Sequence, residues 1–474
     1  MARLVIVSNR VSAPGERTAR AGGLAVAMRD ALRSHGGLWF GSSGEIAETP
    51  QEAPRVISAG KVTYVTASLT QADHREYYVS YANSTLWPLL HYRLGLVEYK
   101  RSAFKGYLGV NAHLAQMLVP FIRPDDVIWV HDYHFIPFGA ELRKLGVTNP
   151  LGFFLHTPFP SPDVLIALPH HEMLIEALAA YDLVGLQTDQ DMRAYLGCVG
   201  QIAHGAELGD GYFLAYGRRS RVAALPIGID TESYAKQAQQ AATSPEAFRL
   251  KASLAGRELI IGVDRLDYTK GIPSRFEAID GLLSDWPAHR RRFNYLQITP
   301  HSRAEVAQYR SLRRELEAAA GRVNGKFAEF DWSPIRYVNR SFSRQLLAGF
   351  YRLARIGLVT PFRDGMNLVA KEFVASQEPE NPGVLVLSRF AGAARELETA
   401  LLVNPFDVDE IAAALNRGLE MSREERRERW QPMMATLRRN TVATWRESFL
   451  ACLAEAAAAS AASPAAAAAS GDHG

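Results

Sequence analysis

The chain has 474 residues, 47% hydrophobic and 22% charged, with a formal net charge of +3. A chain this long exceeds what one core usually organises, so two or more domains are expected, and so small a charge gives no reason to expect nucleic acid or an anionic membrane as partner. Its two cysteines, Cys198 and Cys452, cannot build a disulfide framework and have no zinc-ligand spacing, which fits a reducing cytoplasm.

From the N-terminus, "LVIVS" at 4–8 is the first apolar run, too short for a signal-peptide core. Further runs follow at 127–131, 152–156 and 183–187, and after residue 230 at 259–264, 293–299, 356–360, 384–388 and 401–405. None approaches the roughly 18 apolar residues of a membrane span. Runs that are apolar throughout suit strands covered on both faces, and their alternation with amphipathic stretches predicts α/β architecture with doubly wound parallel sheets. "VAALPIGID" at 222–230 is the least helical connection, so domains over 1–230 and 231–440 are expected, with one large sheet as the alternative. The Ala-rich stretch 456–474 reads as a disordered tail.

Polar residues follow the strands: Ser8-Asn9-Arg10, His131-Asp132, His156, Asp264-Arg265, Thr299 to Arg303, and Arg363-Asp364-Gly365. Ligands of open α/β sheets bind at these carboxyl ends, so two such edges facing each other would enclose one cleft. In chain order, Arg10 and Arg303 suit an anion site built from both halves. Gly22-Gly23, at a helix start, either admits an anion to backbone N–H groups or only makes a turn. Tyr78 and Trp87 offer a hydroxyl and an aromatic wall to a sugar, or belong to the core. "HDYH" at 131–134 lacks helical metal spacing and a third ligand, which leaves Asp132 to accept hydrogen bonds from substrate hydroxyls. Arg265 and Lys270 can clamp a diphosphate without a metal, unless one pairs with Asp264 or Asp267. In "PFRDGMNLVAKE" at 361–372, Gly365 to Leu368 opens a helix whose amides add positive potential. Asp364 would face the sugar and Glu372 the ribose, or Lys371 and Glu372 form an ordinary exposed face.

"LVIVSNR", "AGGLAVAM", "GLWFG", "REYY", "LWPLLHYR", "VIWVHDYH", "GFFLHTPFP", "VDRLDYTKG", "RDGMNLVAKE" and "SRFAGAARE" together closely resemble the trehalose-6-phosphate synthase family, from Leu4 to about Phe449. The resemblance implies a GT-B glycosyltransferase with two Rossmann-like domains facing a central cleft, and a C-terminal helix near 440–455 joined to the first. It also implies retaining transfer of glucose from UDP-glucose to glucose 6-phosphate, by front-face displacement without metal or other cofactor. On the donor side it assigns Gly22, Gly23, Arg265, Lys270, Phe342, Asp364, Leu368, Val369, Ala370, Lys371 and Glu372; His156 and Asp364 would contact glucose. The catalytic set would be Arg265, Lys270, His156 and Asp364. Arg10, Tyr78, Asp132 and Arg303 would bind the acceptor, with Trp87 and Thr157 bearing on the anomer. Ser42 stands where some relatives carry Trp, and Thr157 where others carry an aliphatic residue; both bear on acceptor or anomer preference.

A related transferase using GDP-glucose or glycerol 3-phosphate is the nearest alternative. A glycosidase would need two carboxylates flanking the bond and no diphosphate clamp. A non-catalytic sugar-phosphate sensor is the third reading. Small-molecule substrates are the expected partners, without nucleic acid or membrane, and homo-oligomer formation stays open.

Overall fold

The computed structural model describes residues 2–11, 28, 29, 32, 36–300 and 306–462; Gly22, Gly23 and Arg303 lie outside them. The chain forms two compact units, Met1–Pro226 with Trp445–Gly474, and Ile227–Thr444. The first changeover thus falls slightly before residue 230.

The first unit carries β1 (Leu4–Arg10), β2 (Gly37–Ala47), β3 (Arg55–Ala59), β4 (Val62–Thr70), β5 (Val127–His131), β6 (Leu151–Phe154), β7 (Leu183–Leu186), β8 (Ala206–Gly209), β9 (Tyr212–Ala215) and β10 (Arg218–Ala224). They form one sheet in the order β3-β4-β2-β1-β5-β6-β7-β10-β9-β8, parallel from β4 to β10 and closed at its edges by antiparallel β3, β9 and β8. The second unit has β11 (Glu258–Val263), β12 (Phe293–Ile298), β13 (Ile335–Val338), β14 (Ile356–Val359), β15 (Val384–Ser388) and β16 (Leu401–Val403), all parallel, in the order β13-β12-β11-β14-β15-β16. Counting β1, β2, β4, β5, β6 and β7 as the first unit's six, both units show the Rossmann order 3-2-1-4-5-6. That order reverses direction between strands 1 and 4, here β1/β5 and β11/β14. The gap left there by the diverging connections is where such a sheet receives ligands.

The centre of each sheet is apolar because helices cover both faces; β6 and β7 are buried at every residue. β2 and β4 were missed by the apolar-run criterion because Gly, Ser and Thr interrupt them. Likewise β10 occupies the start of the stretch expected as a connection, and the helix Val442–Ala461 extends into the expected tail, with Ala456 buried.

This last helix returns the chain to the first unit through Phe449. Its ring stacks on Trp129 with centroids 4.3 Å apart and lies close against Gly152 and Gly185. A methyl group on Gly152 would lie 2.6 Å from the Phe449 ring. Gly152→Ala is therefore expected to destabilise the protein by about 1–3 kcal/mol through overpacking, and Phe449→Leu in the same chain to recover part of the loss, both read by thermal unfolding.

Candidate active site

In the second unit, the loop after β11 carries both expected cations. A short 3₁₀ turn, Tyr268–Lys270, ends at Gly271, whose φ of 64° only glycine adopts cheaply; a methyl there would lie 2.4 Å from the Thr360 carbonyl oxygen. This close approach brings the loop against the end of β14. Arg265 bonds Asp267 (Nε to Oδ2, 3.2 Å), and its side chain stays 39% exposed. Asp267 is itself fixed by the Thr269 N–H and hydroxyl, at 3.0 and 2.9 Å. Lys270 Nζ reaches Asp364 Oδ2 across the β11/β14 reversal point. So one of the two pairings left open by the sequence, Arg265 with Asp267, is present, whereas Asp264 goes to a different partner.

That partner is Arg275, fully buried near the start of helix Ile272–Asp285. Its guanidinium donates to Asp264 Oδ2 (2.6 Å), Thr360 Oγ1 (3.0 Å), Gln297 Oε1 (3.3 Å) and the Lys270 carbonyl (2.9 Å). It joins the ends of three neighbouring strands to the backbone of Lys270. Burial pushes the Asp264 carboxyl up, against the pull of Arg275.

Asp364 belongs to a loop held by its neighbour: Gly392 N–H donates to the Asp364 carbonyl (2.9 Å) and Ala393 N–H to that of Met366 (2.8 Å). Asn367, at φ 67°, caps helix Leu368–Ser376 through Ala370 N–H (3.1 Å), while its amide donates to Asp364 Oδ2 (3.2 Å). One side chain thus positions both the helix N-terminus and the carboxylate. With Ala370 taken by the cap, helix geometry leaves the Leu368 and Val369 amides without intrahelical acceptors.

Neither Lys371 nor Glu372 lies on an exposed face. Lys371 is 1% exposed, and its ammonium bonds Glu396 and the Ile227 carbonyl (2.7 Å). Glu396 also accepts from Asn440 (3.1 Å), so the cluster fastens this helix to both ends of the unit. Glu372 accepts from Arg344 Nε at 3.0 Å, and burial pushes its carboxyl up against that pull. Phe342 is half-buried, edge-on to Phe350 and beneath Arg340 at 4.6 Å.

In the first unit the candidates gather at the β1/β5 reversal point. Arg10 is exposed and lies over Gly44, where a methyl group would come within 1.2 Å of its Nη1; Gly44 has φ of 72°. Ser42 is buried and accepts from Gly44 N–H at 3.0 Å. Asp132, at φ 75°, accepts the His156 N–H at 3.2 Å. His156 bonds His131 (3.2 Å) and Gln187 (3.3 Å) through its ring nitrogens. Its pKa is lowered to about 3 by burial, so the ring is neutral. Thr157 Oγ1 is buried and has no hydrogen-bond partner among the described residues.

Tyr78 lies on a 13-residue π-helix, His74–Leu86. Here Asn83, Ser84 and Thr85 each donate to a carbonyl five residues back, at 2.8, 3.0 and 3.3 Å, which supports the wide turn with side chains as well as backbone. Tyr77 bonds Asn9 at the end of β1 (3.0 Å), and Tyr78 stacks on His134 at 5.8 Å. Trp87 follows, buried against His91 and Tyr133. No group of three His, Cys, Asp or Glu side chains able to hold a metal occurs among the described residues.

Sequence reasoning missed Arg275, Arg344, Asn367, His131 and Gln187 as supports. The usable signal was a buried Asp at the end of an apolar strand, which requires a cation from the adjoining helix.

The model of Glycosyltransferase family 20 matches residues 3–455. The chain is 50% identical to the trehalose-6-phosphate synthase of Sinorhizobium fredii, over 95% of this chain and 98% of the relative. It is 49% identical to the α,α-trehalose-phosphate synthase (UDP-forming) of Burkholderia xenovorans solved in complex with glucose-6-phosphate (TM-score 0.92), covering 95% of this chain and 100% of that one. For the Escherichia coli enzyme bound with UDP-2-fluoro glucose, the values are 47%, 0.91, 95% and 99%. Both units have the GT-B parallel-sheet architecture of these neighbours. Matched along nearly its whole length, with a carboxylate and two cations gathered where its second sheet reverses, the chain belongs to glycosyltransferase family 20.

Proposed function

We infer that this protein transfers glucose from UDP-glucose to glucose 6-phosphate, releasing UDP and forming α,α-trehalose 6-phosphate with retention at the donor carbon. The observation that carries this reading is the Arg265–Lys270 pair beside Asp364, at the strand ends where a Rossmann-like sheet receives a nucleotide. The donor diphosphate exchanges with Asp364 for Lys270, takes Arg265, and meets the amides of Leu368 and Val369. Asp364 then turns to the glucose hydroxyls. Glu372, held by Arg344, accepts from the ribose, and Phe342 lies towards the base. Asp132, Tyr78 and Arg10 bind the acceptor, and Trp87 walls it. Gly22 and Gly23 on the donor and Arg303 on the acceptor keep the roles that the resemblance gives them.

The reaction breaks the bond from the anomeric carbon to the phosphate oxygen. It forms a new bond to the acceptor's anomeric oxygen on the same face, and the acceptor proton passes to the departing phosphate. Cations stabilise charge that grows on the leaving group, so neither a carboxylate nucleophile nor a metal is needed. UDP release should require glucose 6-phosphate and be unaffected by chelator; faster turnover with glycerol 3-phosphate or GDP-glucose would reassign the substrates. Glu372→Gln should raise the UDP-glucose KM about tenfold with little change in kcat, as expected for a ground-state hydrogen bond.

A further inference from the structure

Gln187, His156 and His131 form a continuous side-chain chain, all three nearly or fully buried. Gln187 Nε2 lies 3.3 Å from His156 Nδ1, and His156 Nε2 lies 3.2 Å from His131 Nδ1. Both ring nitrogens of His156 thus have partners inside the protein, and its backbone N–H donates to Asp132 Oδ1 at 3.2 Å. The far nitrogen of His131, Nε2, is buried without a hydrogen-bond partner among the described residues. The rings of Trp129 and Trp445 surround His131, with centroids 4.6 and 6.4 Å away.

Gln187 fixes the direction of the chain: its Nε2, which can only donate, faces His156 Nδ1. So the proton sits on His131 Nε2, its Nδ1 accepts from His156 Nε2–H, and His156 Nδ1 accepts from the Gln187 amide. Desolvation disfavours the charged form of both rings, which removes the imidazolium as an alternative.

We propose that His131 is a positioning residue: as the terminal acceptor of the Gln187–His156–His131 chain it holds His156 in one tautomer and orientation, and through the His156 backbone holds the Asp132 carboxylate towards the acceptor sugar. The proposal rests on the assignment of Asp132 to the acceptor. It accounts for the positive φ of Asp132, which the His156 N–H secures.

Two substitutions at one position separate this role from packing. In His131→Asn, the amide oxygen takes the place of Nδ1 and still accepts from His156, although the ring is lost. In His131→Phe, the ring stays and the acceptor is lost. Positioning predicts that His131→Asn keeps kcat/KM for glucose 6-phosphate within about threefold of the parent. His131→Phe should lose about 30-fold or more, mainly in the glucose 6-phosphate KM. The reverse order, equal activity of both variants, or equal loss in both would overturn it. The 15N chemical shifts of the two histidines in the ligand-free parent are an activity-independent check. Protonated Nε2 and bare Nδ1 in both rings are expected; a protonated Nδ1 in either overturns the proposal whatever the variants do. If instead the parent does not consume glucose 6-phosphate, the functional reading fails, while the tautomers still decide the hydrogen-bond chain.

Discussion

Lys270→Ala is expected to lower kcat for UDP release by 10²- to 10³-fold while the protein still folds. Lys270 carries the only ammonium bonded to Asp364 among the described contacts, and on the proposed reaction it moves to the diphosphate as charge develops there. An interaction that strengthens towards the transition state acts on kcat more than on KM, and removing one preorganised charge contact costs on the order of 10²–10³. Folding should survive because Asp364 keeps the Asn367 amide and the Met366 N–H, at 3.2 and 3.3 Å. Steady-state kinetics with saturating glucose 6-phosphate measure the effect, and Asp364→Asn refines it. If Lys270 merely neutralised Asp364, adding Lys270→Ala to Asp364→Asn would cost nothing further; if the ammonium serves the leaving phosphate, the addition lowers kcat by about another 10²-fold. Arg265→Ala should fall in the same direction by about 10²-fold, because its more exposed guanidinium is better screened.

What the sequence made legible follows from how each residue acts. Runs such as "LVIVS" and "VLVLS" announce themselves because burial on both faces leaves no polar position, whereas β2 and β4 carry Gly, Ser and Thr within their runs and escaped the same criterion. The strand-end positions of Arg10, Asp132, Arg265 and Asp364 were readable because parallel sheets present ligands at carboxyl edges. Their partners were not. Nothing local in "RDGMNLVAKE" separates Lys371, which turns inward to Glu396, from Glu372, which turns to Arg344 28 residues away in sequence. Those directions depend on which helix packs alongside, a tertiary fact. The π-helix was equally hidden, since its wide turn is supported by Asn83, Ser84 and Thr85 reaching five residues back, a spacing ordinary helix periodicity does not test.

Arg275→Met should destabilise the second unit by about 3–5 kcal/mol, the usual cost of removing one partner from a buried ion pair. For a unit of this size that corresponds to a loss of roughly 10 °C in Tm, readable by calorimetry. Methionine fills much of the volume, so the effect comes from leaving Asp264 buried without its guanidinium, together with an orphaned Thr360 hydroxyl oxygen, while Gln297 Oε1 keeps the Tyr295 hydroxyl. The sign of its pH dependence follows. Burial already pushes the Asp264 carboxyl up, and without Arg275 only the charge of Lys270 opposes it, so the folded state holds its proton to higher pH than the unfolded chain. The folded form then binds more protons, and stability falls as pH rises. The deficit of Arg275→Met relative to the parent should therefore shrink on going from pH 7 to pH 5, and adding Asp264→Asn should recover much of it at pH 7. A deficit independent of pH and untouched by Asp264→Asn would mean that the guanidinium's bond to the Lys270 carbonyl, and with it the shape of the cation loop, is what Arg275 chiefly maintains.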